Sequence, residues 1–495
     1  MVQFQTQKVA IVLGLLVAAP VFADSITQFT AGDIVVSVEG CGIQGGTCTG
    51  IANGTGANGS YGDNQAAPLS LFQFGVTGTS SATYAGSLVL PQTTSGSNFA
   101  VSGEYGSSSE GTLQLSGNGQ YLTIMGYGIN AATFNADPAA YSASNTNTAL
   151  AQSGSLTGQS YTPVARVVAL VGANGSVNSS TGLYNVFNGN NPRSAYTADG
   201  TNIYVSGQGT SPDSTGGVFY TTVGSSSATS ITGNDTTSKT HAQDTRDVQI
   251  YNGQLYVSVD STEGSGSNRS FIGTLGSGTP TTLANNNNGP TMLPGDGNSG
   301  GTGKETITTG ANSTGNGLNG GDQINLSPEN YFFANSTTLY IADSGDGKQT
   351  SATSSLGDGG LQKWTFNGSS WVLDYTLSAG LGLVANTNSD GTSGLLGLTG
   401  EVVNGQVELF ATNYTLSDLD QTYLYGITDT LSDTLASQVT GEAFSVLAAA
   451  PADSNFKGVS FAPTSEAAPT PEPASFALFG LGSAAILYIR RRKSL

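Results

Sequence analysis

The chain has 495 residues, of which 70 are glycine and only 9% are charged, and its formal charge is −19. So acidic and charge-poor a chain is not a nucleic-acid binder, and polyanions are disfavoured as direct partners. Hydrophobic residues at 37%, with 20 Tyr and 19 Phe, supply a large core and exclude a wholly disordered chain.

At the N-terminus Lys8 precedes an apolar run from Val9 to Ala19, and Val21-Phe22-Ala23 has the small residues of a signal-peptidase site. Residues 1–23 therefore read as a secretion signal cut after Ala23; an uncleaved signal anchor is the alternative. The exported body that follows holds nine basic and 32 acidic residues, about −23, so acidic polysaccharides are repelled unless divalent cations bridge them. Cys41 and Cys48 form a close pair, expected as a disulfide that pins one surface turn. A zinc site needs further ligands, and His241 is the sole histidine.

Through the body, short apolar and aromatic runs alternate with Asn-Gly, Asp-Gly and Gly-Ser turns, and no segment sustains a 3.6-residue apolar period. This is an all-β pattern. The first strand is Asp33–Val38 and the last is Phe456–Phe461. Between them a hairpin unit recurs around Asn118-Gly119, Asp199-Gly200, Asn252-Gly253, Ser336, Asn367-Gly368 and Asn404-Gly405, and Thr422-Tyr423-Leu424-Tyr425 is a last relative. The turns lie 81, 53, 83, 32 and 37 positions apart, which suggests a missed copy or an inserted loop in each long gap. A unit of roughly 40 residues is the size of a propeller blade, so the body at 24–461 is expected to be a single β-propeller of about seven blades. A pair of β-sandwiches or a β-helix is the alternative, and irregular spacing disfavours the helix. The first strand is expected to complete the last blade and so close the ring without an edge. Residues 41–66, 138–160, 208–243 and 280–325 read as inserted polar loops.

Signs of catalysis are sparse. His241 lies in a polar stretch with no strand framework for a triad, and no phosphate loop or nucleophile elbow is present. Paired carboxylates, Glu104 with Glu110, Asp244 with Asp247 and Asp418 with Asp420, are the candidates for glycan hydrolysis or lysis, but the mechanism depends on a separation that sequence does not provide. Asp343-Ser344-Gly345-Asp346 follows a strand and offers Asp343 and Asp346 as calcium ligands, or else an Asx-turn; Asp296-Gly297-Asn298 is a weaker relative. Arg193 and Arg246 stand out among so few cations, either facing a sugar carboxylate or paired with a neighbouring Asp. Trp364 and Trp371 flank one hairpin as core residues, with a sugar-stacking platform as the other reading.

The chain ends in a Pro/Ala/Thr spacer at 462–473 that includes Pro471-Glu472-Pro473, an apolar segment from Ala474 to Ile489, and Arg490-Arg491-Arg492-Lys493. The segment is expected to enter a membrane as a helix, with the basic residues held on the cytoplasmic side. This tripartite tail, 474–495 with its preceding motif, resembles the PEP-CTERM sorting signal. The resemblance implies recognition by exosortase, a membrane peptidase of Gram-negative bacteria that make extracellular polysaccharide, with Pro471, Glu472 and Pro473 as the processing motif. The strand set also resembles the propeller-like ectodomains of such proteins. The expected protein is therefore exported through the inner membrane, held transiently by its tail, and then placed at the cell surface or in the extracellular matrix. Its expected role is structural or binding and non-catalytic, with a link to exopolysaccharide and biofilm. The alternatives are a calcium-dependent glycan-binding adhesin and a carbohydrate-active enzyme.

Overall fold

A computed structural model describes residues 25–40, 62–107, 109–144, 146–210, 213–232, 244–261, 269–284, 289–295, 306–308, 323–345, 359–385 and 388–465. In chain order the strands are β1 Ile34–Gly40, β2 Ala66–Thr77, β3 Ser81–Val89, β4 Ser102–Glu104, β5 Leu113–Leu115, β6 Tyr121–Tyr127, β7 Arg166–Gly172 and β8 Val177–Leu183. Next come β9 Pro192–Thr197, β10 Asn202–Gly207, β11 Gly217–Thr222, β12 Thr229–Ser230, β13 Thr245–Tyr251, β14 Gln254–Ser261, β15 Arg269–Thr274 and β16 Thr291–Met292. The remainder are β17 Thr306–Thr308, β18 Gln323–Asn325, β19 Pro328–Asn335, β20 Thr338–Asp343, β21 Gly360–Phe366, β22 Trp371–Leu377, β23 Thr392–Val403, β24 Gln406–Thr415, β25 Tyr423–Thr430, β26 Ser445–Ala449 and β27 Ser454–Phe461. The one α-helix among the described residues, α1 Ala131–Ala136, is a single short excursion whose Asn130 caps the Thr133 amide.

Every strand pairing among the described residues is antiparallel, unlike the parallel coils of a β-helix. Four sheets are simple four-stranded meanders: β9 to β12, β13 to β16, β19 to β22 and β23 to β26. The other two four-stranded units, β27-β1-β2-β3 and β5-β6-β7-β8, are stitched into one nine-stranded sheet by β4, and β17 and β18 form a separate ribbon. The C-terminal strand thus completes the sheet begun by the N-terminal one, with Ile34 opposite Phe461 and Val36 opposite Val459, the reverse of the expected completion of the last blade by the first strand. No single sheet closes on itself. The ring comes from packing: β27 lies against β5, β5 against β9, β9 against β13, β13 against β19, β19 against β23, and β23 against β27. A cavity of about 200 Å³ is lined by all six of these innermost strands, through residues such as Leu115, Tyr196, Ile250, Phe332, Leu398 and Phe461. The body is propeller-like, with six four-stranded units among the described residues where about seven were expected.

The difference has a simple origin. The long gap from Gly119 to Gly200 holds the connection 128–165 that carries α1, and the gap from Gly253 to Ser336 holds the connection 293–327 that carries the ribbon. Neither adds a four-stranded unit among the described residues. The turn at Asn367-Gly368 joins the third and fourth strands of a sheet, whereas the other recurring turns join the first and second, so the short interval there counted one sheet twice. The segments read as loops at 208–243 and 280–325 also contain strands β11, β12, β16, β17 and β18. At Asn252-Gly253 and Asn404-Gly405 both residues take positive φ, as a type I′ hairpin turn requires.

The recurring hairpin also bolts the ring together. Its second strand carries a hydroxyl that donates to a backbone carbonyl at or beside the next sheet's innermost strand. Ser37 donates to Gly111 at 2.5 Å, Thr123 to Ala195 at 2.5 Å, Ser206 to Arg246 at 2.5 Å, Ser258 to Glu329 at 3.1 Å, and Thr412 to Lys457. Three of these oxygens also accept an amide from their own sheet's innermost strand: Ser37 from Gly458, Ser258 from Asp247 and Thr412 from Gly397. Ala342 occupies the corresponding place in β20, and there Ser393 supplies the link in the opposite sense, donating to the Ser344 carbonyl at 3.0 Å. Apolar side chains fill the space between sheets, as where Tyr340, Leu361 and Tyr375 meet Leu395, Leu409 and Ile427.

Candidate functional site at the loop end of the ring

The two ends of the ring are unlike. Where the innermost strands finish, the chain turns in two to five residues at 116–120, 198–201, 252–253, 336–337 and 404–405. Where they begin, the connections are long, including 41–65, 90–112, 128–165, 231–244, 293–327 and 344–359. Binding groups concentrate on such loops because a rigid scaffold can hold them without constraining their sequence.

At that loop end the innermost strands place a set of charges around the axis. Arg193 on β9 pairs with Asp244, and it donates to Ser109 Oγ at 3.1 Å and Gln208 Oε1 at 3.2 Å. Arg246 on β13 reaches Glu329 on β19 at 3.0 Å, Asp260 at 3.3 Å and Asp244 at 3.4 Å. Ser270 and Ser327 donate to Asp260, and Ser344 donates to Glu329. Burial, together with the neighbouring Arg246, pulls Arg193 down to about 9. Burial works against the charge on Arg246 as well, but Glu329 and Asp260 outweigh it and hold its pKa above the usual value. The two arginines are therefore counter-ions of Asp and Glu, the second of the two roles expected for them.

One step around the ring lies a second buried cluster. Glu104 and Glu110 come together, the Glu104 amide donating to Glu110 Oε2 at 3.3 Å. Tyr127 and Asn191 also donate to Glu110, and the Ala151 amide donates to Glu104. Glu39 faces Lys457 at 3.6 Å, and burial pushes its carboxyl up to about 8. Burial raises Glu104 and Glu110 too. Arg166 stacks over the Tyr127 ring at 4.7 Å and spends its donors on Ser153, Val164 and Phe187. Glu39, Lys457 and Arg166 drew no attention in the sequence; the cue was a charge inside an apolar strand.

The other sequence candidates are scattered. Asp247 lies deeper on the axis than Asp244, accepting from Ser194 at 2.8 Å, Gln249 at 2.7 Å and Gln114, and burial lifts it to about 6. Asp420 accepts the Gly391 and Ser417 amides, which makes it a loop brace, and Asp418 belongs to the same loop. Asp343 is fully buried and accepts from the Ser327 and Gly345 amides and from Gln362. The Gly345 bond is that of an Asx-turn. Trp364 and Trp371 are both buried in one apolar cluster beside Tyr331 and Phe333, so neither offers a platform to a sugar. Ala23, Cys41, Cys48, His241, Asp296, Asp346, Pro471, Glu472, Pro473, Arg490, Arg491, Arg492 and Lys493 lie outside the described residues. No helix among the described residues is long and apolar enough to cross a membrane, and the segment 474–489 expected to do so is likewise outside them.

The body leaves the ring at the turn end. β27 runs from the loop end to Phe461, and beyond it Ala462 donates to the Asp33 carbonyl and Thr464 to the Gly119 carbonyl, each at 2.8 Å. Residues 469–493, a few positions further along the chain, match the PEP-CTERM protein-sorting motif. The chain carries a PEP-CTERM sorting signal. Such a signal belongs to an exported protein that an exosortase, a membrane protein, processes and sorts to the cell envelope or surface. No curated protein matches the chain. Among solved structures it is similar to the β-propeller domain of the Trilobed protease from Pyrococcus furiosus, a domain described as having an open velcro topology. That match has 8% sequence identity and a TM-score of 0.25, and covers 75% of this chain and 83% of that one.

Proposed function

We propose that the mature body is a cell-surface or matrix component with a structural or binding role and no catalysis of its own, and that its partner is extracellular polysaccharide. The carrying observation is the sorting signal joined to the turn end of the ring. It leaves the long connections on the far side, free to meet the matrix while the tail is held at the membrane. The charges at the loop end support a non-catalytic reading, because the acids there are taken up by arginines, serines and backbone amides. A general acid or base needs a group that can reach substrate, and the paired Glu104 and Glu110 are sealed from solvent.

The test is peptide mapping and cell fractionation in the native host and in a strain lacking the sorting peptidase. The expected mature protein ends near Pro471 to Pro473, lies outside the cell, and co-purifies with polysaccharide. An intact C-terminus retained in the inner membrane of both strains overturns the sorted-component reading. Correct sorting without polysaccharide association removes only the partner.

A further inference from the structure

Both lysines with described surroundings, Lys363 and Lys457, are buried. Lys363 is set against more than a counter-ion. It lies on β21 of the fifth sheet and meets Asp429 on β25 of the sixth, Nζ to Oδ2 at 2.9 Å, with both side chains at 0% exposure. The Tyr340 and Tyr375 rings stand over the ammonium at 5.6 and 5.3 Å. Tyr375 donates to Asp429 Oδ1 at 2.8 Å, and Tyr340 donates to Oδ2. Lys363 is aimed by two further bonds, to the Thr430 carbonyl at 2.7 Å and Tyr375 Oη at 3.0 Å.

A third acid completes the group. Glu442, from the connection 431–444, hydrogen-bonds Asp429, and its Oε2 is buried without a hydrogen-bond partner. Burial and the neighbouring Asp429 push Glu442 up to about 8, so it keeps its proton at neutral pH. A fully buried amine and carboxyl group thus meet a half-buried proton carrier between two sheets.

We propose that Lys363 and Asp429 condense into an intramolecular isopeptide bond, with Glu442 carrying the proton. Lys363 Nζ attacks Asp429 Cγ, the Nζ–Cγ bond forms, and one Cγ–O bond breaks. The attacking nitrogen is the neutral amine, formed when the ammonium passes one proton to the Asp429 carboxylate it contacts. Glu442 then gives its proton to the departing hydroxyl, which leaves as water, and takes the nitrogen's second proton in return. An ammonium and a carboxylate become one amide and one water, so charge and atoms balance without an oxidant or a cofactor. Tyr340 and Tyr375 donate to the carboxyl oxygens and draw charge from Cγ. Amide formation between free groups is unfavourable in water, but contact geometry gives effective concentrations of about 10⁵ to 10⁸ M. Exclusion of water also protects the product from hydrolysis. The bond would weld the fifth sheet to the sixth.

The test is peptide mapping of the full-length exported protein by mass spectrometry after reduction and proteolysis. The expected result is one branched peptide joining the segments of Lys363 and Asp429, lighter by one water than their sum. In Glu442→Gln, with its fold checked by circular dichroism, the two peptides should appear separately at full mass. Wild-type peptides at full mass overturn the proposal and leave an ordinary buried ion pair, whether or not any variant folds. An undiminished branched peptide in folded Glu442→Gln overturns the role given to Glu442.

Discussion

Arg246 shows what a single residue does for this ring. It faces Glu329, Asp260 and Asp244 from one strand, so removing its charge leaves three buried acids without their shared partner. Breaking a buried ion pair on one side costs about 3–5 kcal/mol, since the abandoned charge cannot be resolvated. Arg246→Met is expected to lose about that much in denaturant unfolding, while Arg246→Lys recovers part of it. The hydroxyl bolts act on a smaller scale. Ser258→Ala leaves the Asp247 amide and the Glu329 carbonyl unsatisfied, and is expected to cost about 1–2 kcal/mol by the same measurement. The arginines were legible in the sequence because cations are so scarce, and so was the contact of Arg246 with Asp244 in the Asp244-Thr245-Arg246-Asp247 run; its contacts with Glu329 and Asp260, and that of Arg193 with Asp244, join distant parts of the chain. The Lys363 and Asp429 pair was not legible: its members sit in different sheets, and nothing local marks their meeting.

At the scale of elements, β27 is the most exposed to test. It is the innermost strand of the first sheet, hydrogen-bonded to β1 and packed against β5 and β23. A chain ending at Asp453 would lose Phe456 and Val459 from the cluster they form with Val36, Phe72 and Phe74, and would bare the whole edge of β1. An unpaired apolar edge is a template for aggregation. Such a chain is expected in the insoluble fraction, and a synthetic peptide of residues 454–461 should return part of it to a monomeric peak on size exclusion. The pairing of these ends was legible, because each is a clean strand with no partner nearby in sequence. The number of sheets was not, since composition cannot distinguish a loop insertion from a weak repeat when both are rich in Gly, Ser and Asn.

The molecule keeps five of its cations inside and sets acids on its surface. Arg166, Arg193, Lys363 and Lys457 are buried and Arg246 is nearly so, while Asp63, Asp137, Asp199, Asp390 and Glu401 are exposed. Burial raises the interior acids, Glu39 and Glu442 to about 8 and Asp247 and Asp374 to about 6, with Glu104, Glu110 and Glu329 shifted the same way. Between the ordinary carboxylate range near 4 and these raised values, the folded chain holds protons that the unfolded chain has already released. Unfolding then releases protons, so each step up in pH across that window favours the unfolded state. Repulsion among the surface carboxylates acts in the same direction and weakens with salt. The melting temperature is therefore expected to fall steadily from pH 5 to pH 8 and to level off above it. Glu39→Gln should flatten part of that slope, and added salt should lift the curve most at its alkaline end. Calorimetry across that range decides it, and a melting temperature that rises with pH would mean that these acids are ionised in the folded protein and paired more strongly than their burial costs.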